Sequence, residues 1–101
     1  MTITKENDNG KITLKLDGWL DAVSSPELGA EIEKIEAAEE IIIDFDKVEY
    51  IASSGLRQVV AAHQRAKEIG AVLSIANVCT EVMSIFKLTG LDKKLRISEK
   101  K

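Results

Sequence analysis

Tyr50-Ile51-Ala52-Ser53-Ser54-Gly55-Leu56 is the stretch on which the reading of this chain turns. Before it lies an apolar run, Ile41-Ile42-Ile43, and after it a long amphipathic stretch from Leu56 to Ile69. Two adjacent hydroxyls and a glycine therefore fall where a strand hands over to a helix. The first N–H groups of a helix have no intrahelical partner, and the helix dipole places about half a positive charge there. A serine at such a junction fits two roles. It is a good N-cap, worth about 1 kcal/mol. It is also a place where an added phosphate, carrying a charge of about −1.5 to −2, meets backbone donors already waiting. Gly55, lacking a side chain, lets a partner's active site approach the backbone closely.

Working outward, Ile41 to Phe45 is broken only by Asp44, as expected of a central strand covered on both faces. On a helical wheel Leu56, Val59, Val60, His63, Ala66 and Lys67 fall on one side of the following helix, and Gly70 is its expected stop. Upstream, two strands over 3–6 and 11–16 flank a turn at Asn7-Asp8-Asn9-Gly10, where Asn-Gly is a strong hairpin signal. Ile12, Leu14 and Leu16 alternate with polar residues, so one face of that strand is buried and the other wet. A helix then begins either with Ser24 and Glu27 as a capping box or with Ser25 capping ahead of Pro26. It carries Leu28, Ile32 and Ile35 inward and fades near Ala37-Ala38.

Downstream, Ala71 to Ala76 reads as a second buried strand and Asn77 to Cys79 as a loop. Thr80 caps a helix bearing Val82, Met83, Ile85, Phe86 and Leu88 that stops at Gly90, and Leu95 and Ile97 form a last short strand. Strands and helices alternate through one domain over 1–101, which predicts an α/β sheet with right-handed crossovers.

Composition narrows the function. Hydrophobic residues make up 45% of the 101 residues and aromatics only 4%, so the core is aliphatic. The net charge of −3 gives no electrostatic footprint for nucleic acid, and Lys93, Lys94, Arg96, Lys100 and Lys101 read as solubilising. The single cysteine, Cys79, offers no disulfide or zinc motif and reads as a packing residue. No signal peptide and no run of membrane-spanning length is legible, so a cytoplasmic protein without membrane insertion is expected.

Enzyme chemistry fits poorly. A serine nucleophile needs a histidine within hydrogen-bond reach. The one histidine, His63, lies nine residues beyond Ser54, about 13 Å along a helix, and its ring is expected to pack on the sheet. No G-x-S-x-G elbow, phosphate-binding loop or dinucleotide fingerprint is present. Asp17, Asp21, Asp44 and Asp46 read as turn and cap residues rather than a metal site. No catalytic residue, metal or cofactor is expected.

Four pieces then carry a resemblance over nearly the whole chain: Gly18-Trp19-Leu20-Asp21, Ile42-Ile43-Asp44-Phe45, Ile51-Ala52-Ser53-Ser54-Gly55-Leu56 and Phe86-Lys87-Leu88-Thr89-Gly90-Leu91-Asp92. In this order and at this spacing the sequence resembles a STAS domain of the bacterial anti-sigma factor antagonist type. The resemblance implies an α/β fold with a mixed sheet of four to five strands packed with three to four helices. It implies partner switching. The unphosphorylated antagonist binds an anti-sigma factor that is also a serine kinase and holds the ATP. Phosphorylation of the serine before the glycine, here Ser54, releases it, and a serine phosphatase restores it. Asp21 matches the family's acidic residue after the second strand and is expected near Ser54, with Ser53, Gly55 and Leu56 completing the contact. A monomer is the default. Where many antagonists carry Asp before the serine pair, this chain has Ala52. That departure keeps an alternative open: a non-catalytic STAS subunit of a lipid-transport ABC system or stress-signalling complex, without phospho-switching.

Overall fold

A computed structural model describes residues 1–100; of the basic C-terminal residues, Lys101 lies outside them. The elements run β1 (Thr2–Asp8), β2 (Lys11–Asp17), α1 (Ser25–Glu33), β3 (Glu40–Lys47), α2 (Ser53–Glu68), β4 (Val72–Val78), α3 (Thr80–Thr89), a 3₁₀ turn (Leu91–Lys93) and β5 (Arg96–Glu99). The order read from the alternation is the order found.

The five strands lie in one sheet in the sequence order β1-β2-β3-β4-β5. β1 pairs antiparallel with β2, and the remaining pairs are parallel. The hairpin turn is tighter than expected. Asn7 and Asp8 belong to β1, Asp8 pairs with Lys11, and only Asn9 and Gly10 turn the chain. Both have positive φ, 51° and 89°, which is the type I′ geometry that matches strand twist.

Sequential strand order decides how the sheet is covered. Each parallel step advances in one direction, and right-handed crossovers then place every helix on one face. Ile12, Leu14 and Leu16 of β2, Ile41, Ile43 and Phe45 of β3, and Leu73 and Ile75 of β4 are buried on that face. They meet Leu28 and Ile32 of α1, Val59, Ala62 and Ala66 of α2, and Val82, Met83 and Phe86 of α3 in one core. Ile42 and Asp44, on the opposite face, are only half-buried. The expectation of a β3 covered on both faces is therefore corrected: the apolar run alternates in burial, and Ile42 shares its row with Thr13 and Ser74.

The face of α2 is also corrected. Its buried residues are Gly55, Val59, Ala62 and Ala66, spaced i, i+4, i+7 and i+11. Val60 and Lys67 are exposed. Small residues sit inward because α2 packs closely on Leu20 and Ile51 at its start and against α1 and β4 along its length. His63 is half-buried. With Val60 and Lys67 it lines a cleft against Leu91, Lys94 and Leu95. Burial, and then the Lys67 charge, push its imidazole below the ordinary histidine range.

Smaller differences follow from the backbone. β4 extends through Asn77, which has φ 60° and whose side-chain amide donates to Asp44 Oδ1 at 3.0 Å. The N-cap of α3 is Cys79, and Thr80 is the first helical residue. α1 ends at Glu33, before Ala37-Ala38, although Ile35 stays buried. Gly70 and Gly90 follow α2 and α3 with φ of 73° and 78°.

Candidate functional site

β2, β3 and β4 are parallel, so the loops leaving their C-terminal ends gather at one edge of the sheet. Two of these loops build the site. The chain leaving β2 passes through Gly18-Trp19-Leu20-Asp21, and the chain leaving β3 passes through Tyr50 to Ser54. They are clamped together by a parallel bridge between Leu20 and Ile51. Leu20 N–H donates to the Tyr50 carbonyl at 3.1 Å, and Ala52 N–H donates to the Leu20 carbonyl at 2.9 Å. Both bridging side chains are buried, which anchors the pair of loops to the core. α3 joins the same edge, where Cys79 Sγ lies 3.6 Å from the Val48 carbonyl.

The serines start α2 but do not cap it. The N-cap is Ala52, with φ −95° and ψ 173°, and its methyl group supplies no cap hydrogen bond. Ser53 and Ser54 are the first two helical residues. Ser53 is exposed and Ser54 half-buried. The first intrahelical bond runs from Leu56 N–H to the Ala52 carbonyl at 3.0 Å, so the N–H groups of Ser53, Ser54 and Gly55 precede the ladder. The cap reading is thus corrected by one residue. A serine caps only from a non-helical backbone, and here that position belongs to Ala52.

Gly55 is buried against the chain's own loop. A β-carbon there would lie 2.7 Å from the Leu20 carbonyl oxygen and 2.8 Å from Ile51 Cγ1. The close approach that requires a glycine is made by Leu20 and Ile51. Leu56, half-buried, packs against the core.

Asp21 is brought to the neighbouring loop through Leu20, yet its carboxylate serves its own turn. Asp21 Oδ1 accepts from the N–H groups of Val23 and Ser24, each at 3.0 Å. Ser24 Oγ in return accepts from Asp21 N–H at 3.0 Å and donates to the Trp19 carbonyl. This reciprocal exchange has the logic of a capping box set one turn ahead of α1. Both readings of the α1 start are adjusted by it. Ser24 is the N-cap by position, its hydroxyl faces Asp21, and Pro26 lies in the first turn. The bond from Ser24 N–H foremost, with the Ser24 hydroxyl and Val23 N–H, holds the Asp21 carboxyl below the usual aspartate range despite some desolvation.

The other aspartates are engaged separately. Asp44 Oδ1 accepts from Asp46 N–H at 2.9 Å and from Asn77, and Asp46 pairs with Lys100 at 3.3 Å. Among the described residues no group of three metal-ligating side chains forms, and no helix is long and apolar enough to cross a membrane.

An aromatic pair stands on the two loops. Trp19 and Tyr50 immediately precede the two bridging residues, so they face outward and their rings meet with centroids 5.5 Å apart. The equal offset of an aromatic before Leu20 and before Ile51 was the available signal, but nothing in the sequence pairs those loops.

Comparison with known proteins agrees with this architecture. A family model described as the STAS domain matches residues 2–101. An anti-sigma-B factor antagonist of Bacillus subtilis is 29% identical over 97 residues, covering 95% of this chain and 88% of that protein. A crystal structure of an anti-sigma factor antagonist from Mycobacterium paratuberculosis superposes with a TM-score of 0.85 at 23% identity, over 95% of this chain and 83% of that one. The Bacillus cell fate determinant SpoIIAA in its phosphorylated form superposes with a TM-score of 0.75 at 19% identity, over 96% and 91%. The two structures share the fold.

Proposed function

The chain belongs to the STAS domain family, and on that premise we propose that it is an anti-sigma factor antagonist working by partner switching. Unmodified, it binds a serine-kinase anti-sigma factor at the edge formed by Asp21, Ser53, Ser54 and Leu56, with Gly55, buried against Leu20 and Ile51, setting the backbone beneath them. The partner supplies ATP. Ser54 Oγ takes the γ-phosphoryl group, its bond to phosphorus forming as the bond to the ADP oxygen breaks, and its proton leaves to a base on the partner. The phosphorylated form dissociates, and a serine phosphatase returns it to the pool.

The observation that carries this reading is the start of α2. Its first turn holds no acidic residue, and its leading N–H groups are not used by the helix. The helix end therefore tolerates a phosphate, with the dipole contributing about 0.3–1 kcal/mol in its favour. The fold survives the modification while the contact surface changes charge. The antagonist name of the Bacillus subtilis relative and the phosphorylated form known for SpoIIAA support the same reading.

The test is incubation with the host's anti-sigma factor kinase and ATP, followed by mass spectrometric mapping. Phosphate on Ser54 and loss of binding on Ser54→Asp are expected. An unmodified Ser54, with binding indifferent to that substitution, overturns the switch. Ala52 favours a second reading, a constitutive STAS subunit of a lipid-transport ABC system or stress-signalling complex. Recovery of an ABC ATPase in place of a kinase supports that one.

A further inference from the structure

Four aromatic side chains are present, and the structure divides them evenly. Phe45 and Phe86 meet inside the core with centroids 6.1 Å apart. Trp19 and Tyr50 pair on the surface, 63% and 48% exposed, at the edge that carries Ser54. Val23, at the tip of the Asp21–Ser24 turn, is 83% exposed. Among the described residues these are three of the six large hydrophobic side chains left exposed, and all three stand on the two clamped loops. In a chain this poor in aromatics, core packing had first claim on such residues. Their placement outside it marks a surface shaped for contact, since Trp and Tyr dominate the energetic centres of interfaces.

We infer that Trp19 and Tyr50, with Val23, form the apolar anchor for the partner that acts on Ser54, and that this anchor makes the contact sensitive to phosphorylation. The inference rests on the proposed function and names the chemistry of the contact. Continuity fixes the occupant. Trp19 and Tyr50 flank the Leu20–Ile51 bridge, and Gly55, next to Ser54, packs on Leu20. A protein that reaches the Ser54 hydroxyl therefore meets the two loops that carry the aromatic pair. It presents aliphatic or aromatic side chains there and excludes water from the rings.

This arrangement supplies a physical reason for release. A phosphoserine on an open helix start is well solvated and welcomed by the dipole. Beside a dry aromatic contact the same dianion must shed water that the partner's apolar side chains do not replace. The cost falls on the complex alone, leaving the free protein folded.

The experiment measures the dissociation constant of the host kinase that phosphorylates Ser54, using the full chain as Ser54 and as Ser54→Asp. Trp19→Ala and Tyr50→Ala are each expected to weaken the Ser54 complex about tenfold. They are expected to change the Ser54→Asp complex little, so the ratio between the two forms shrinks. Val23→Ser, on the same lip, should act in the same direction and stands in if either aromatic variant melts early. Val72→Ala, an exposed valine at the N-terminal end of β4, should leave both affinities unchanged. Unchanged binding by the lip variants, with Ser54 still phosphorylated in the parent chain, overturns the anchor and leaves the switch standing. A kinase that fails to phosphorylate the parent chain overturns the switch itself.

Discussion

Gly55 rests on the backbone of Leu20, with its absent β-carbon 2.7 Å from the Leu20 carbonyl oxygen. Through that contact the start of α2 is set by the loop leaving β2, 35 residues earlier in the chain. Gly55→Ala must push the helix start away from Leu20 or distort the bridge to Ile51. The expected loss is about 1–3 kcal/mol, the usual cost of overpacking, read as a lower urea midpoint. Wild-type stability in this variant would rule out the contact as drawn.

Ala52 occupies the N-cap with suitable backbone angles and an unsuitable side chain. Ala52→Asp or Ala52→Ser should supply the missing acceptor for the N–H groups of the first turn. A gain of about 0.5–2 kcal/mol is expected by thermal or urea denaturation. The aspartate variant adds the favourable dipole term, which high salt should reduce.

Ser54→Ala is expected to leave stability within about 0.5 kcal/mol of the parent, because Ser54 is already inside the helix and does not cap it. A loss above about 1 kcal/mol would mean that the hydroxyl is bonded in solution. The stability of Ser54→Asp, measured alongside, separates loss of partner binding from loss of fold.

Asp21 and Ser24 hold the turn between β2 and α1 jointly. Asp21→Ala and Ser24→Ala should each lower the melting temperature, and the double variant should lose less than the sum of the two. The Asp21 carboxyl is depressed in the fold, so its contribution is present above the ordinary aspartate range. That contribution disappears as pH falls through its own lower value. The parent chain should therefore lose more stability than Asp21→Ala between neutral and strongly acidic pH.

His63 contributes at milder pH. Its folded pKa lies below the unfolded value, so on acidification the unfolded chain takes up the proton first. Stability from the neutral ring is present above the ordinary histidine range and is lost as pH falls towards the folded value. Urea denaturation at pH 7.5 and 5.5 should show a decline in the parent chain that His63→Gln reduces.

Much of this molecule was legible in local pattern. Period-two alternation in Ile12, Leu14 and Leu16, the Asn9-Gly10 turn and the Gly90 stop follow from steric preferences that act over a few residues. The alternation of elements then followed, and so did the position of Ser53 and Ser54 at a helix start. The sequence alone determined that one α/β domain presents a serine pair where a strand gives way to a helix. Tertiary structure decided the rest. It set which residue caps α2, because the backbone at Ala52 is held by Leu20. It left Ile42 on the open sheet face, because sequential strand order places the crossovers on one side. It turned Gly55, Ala62 and Ala66 inward, because close packing selects small side chains over the most hydrophobic ones. It also brought Trp19 to Tyr50 and Leu20 to Ile51, each pair 31 residues apart in sequence. Local preference acts through neighbouring peptide units, whereas these relationships depend on loop closure between parallel strands, which no short stretch of sequence encodes.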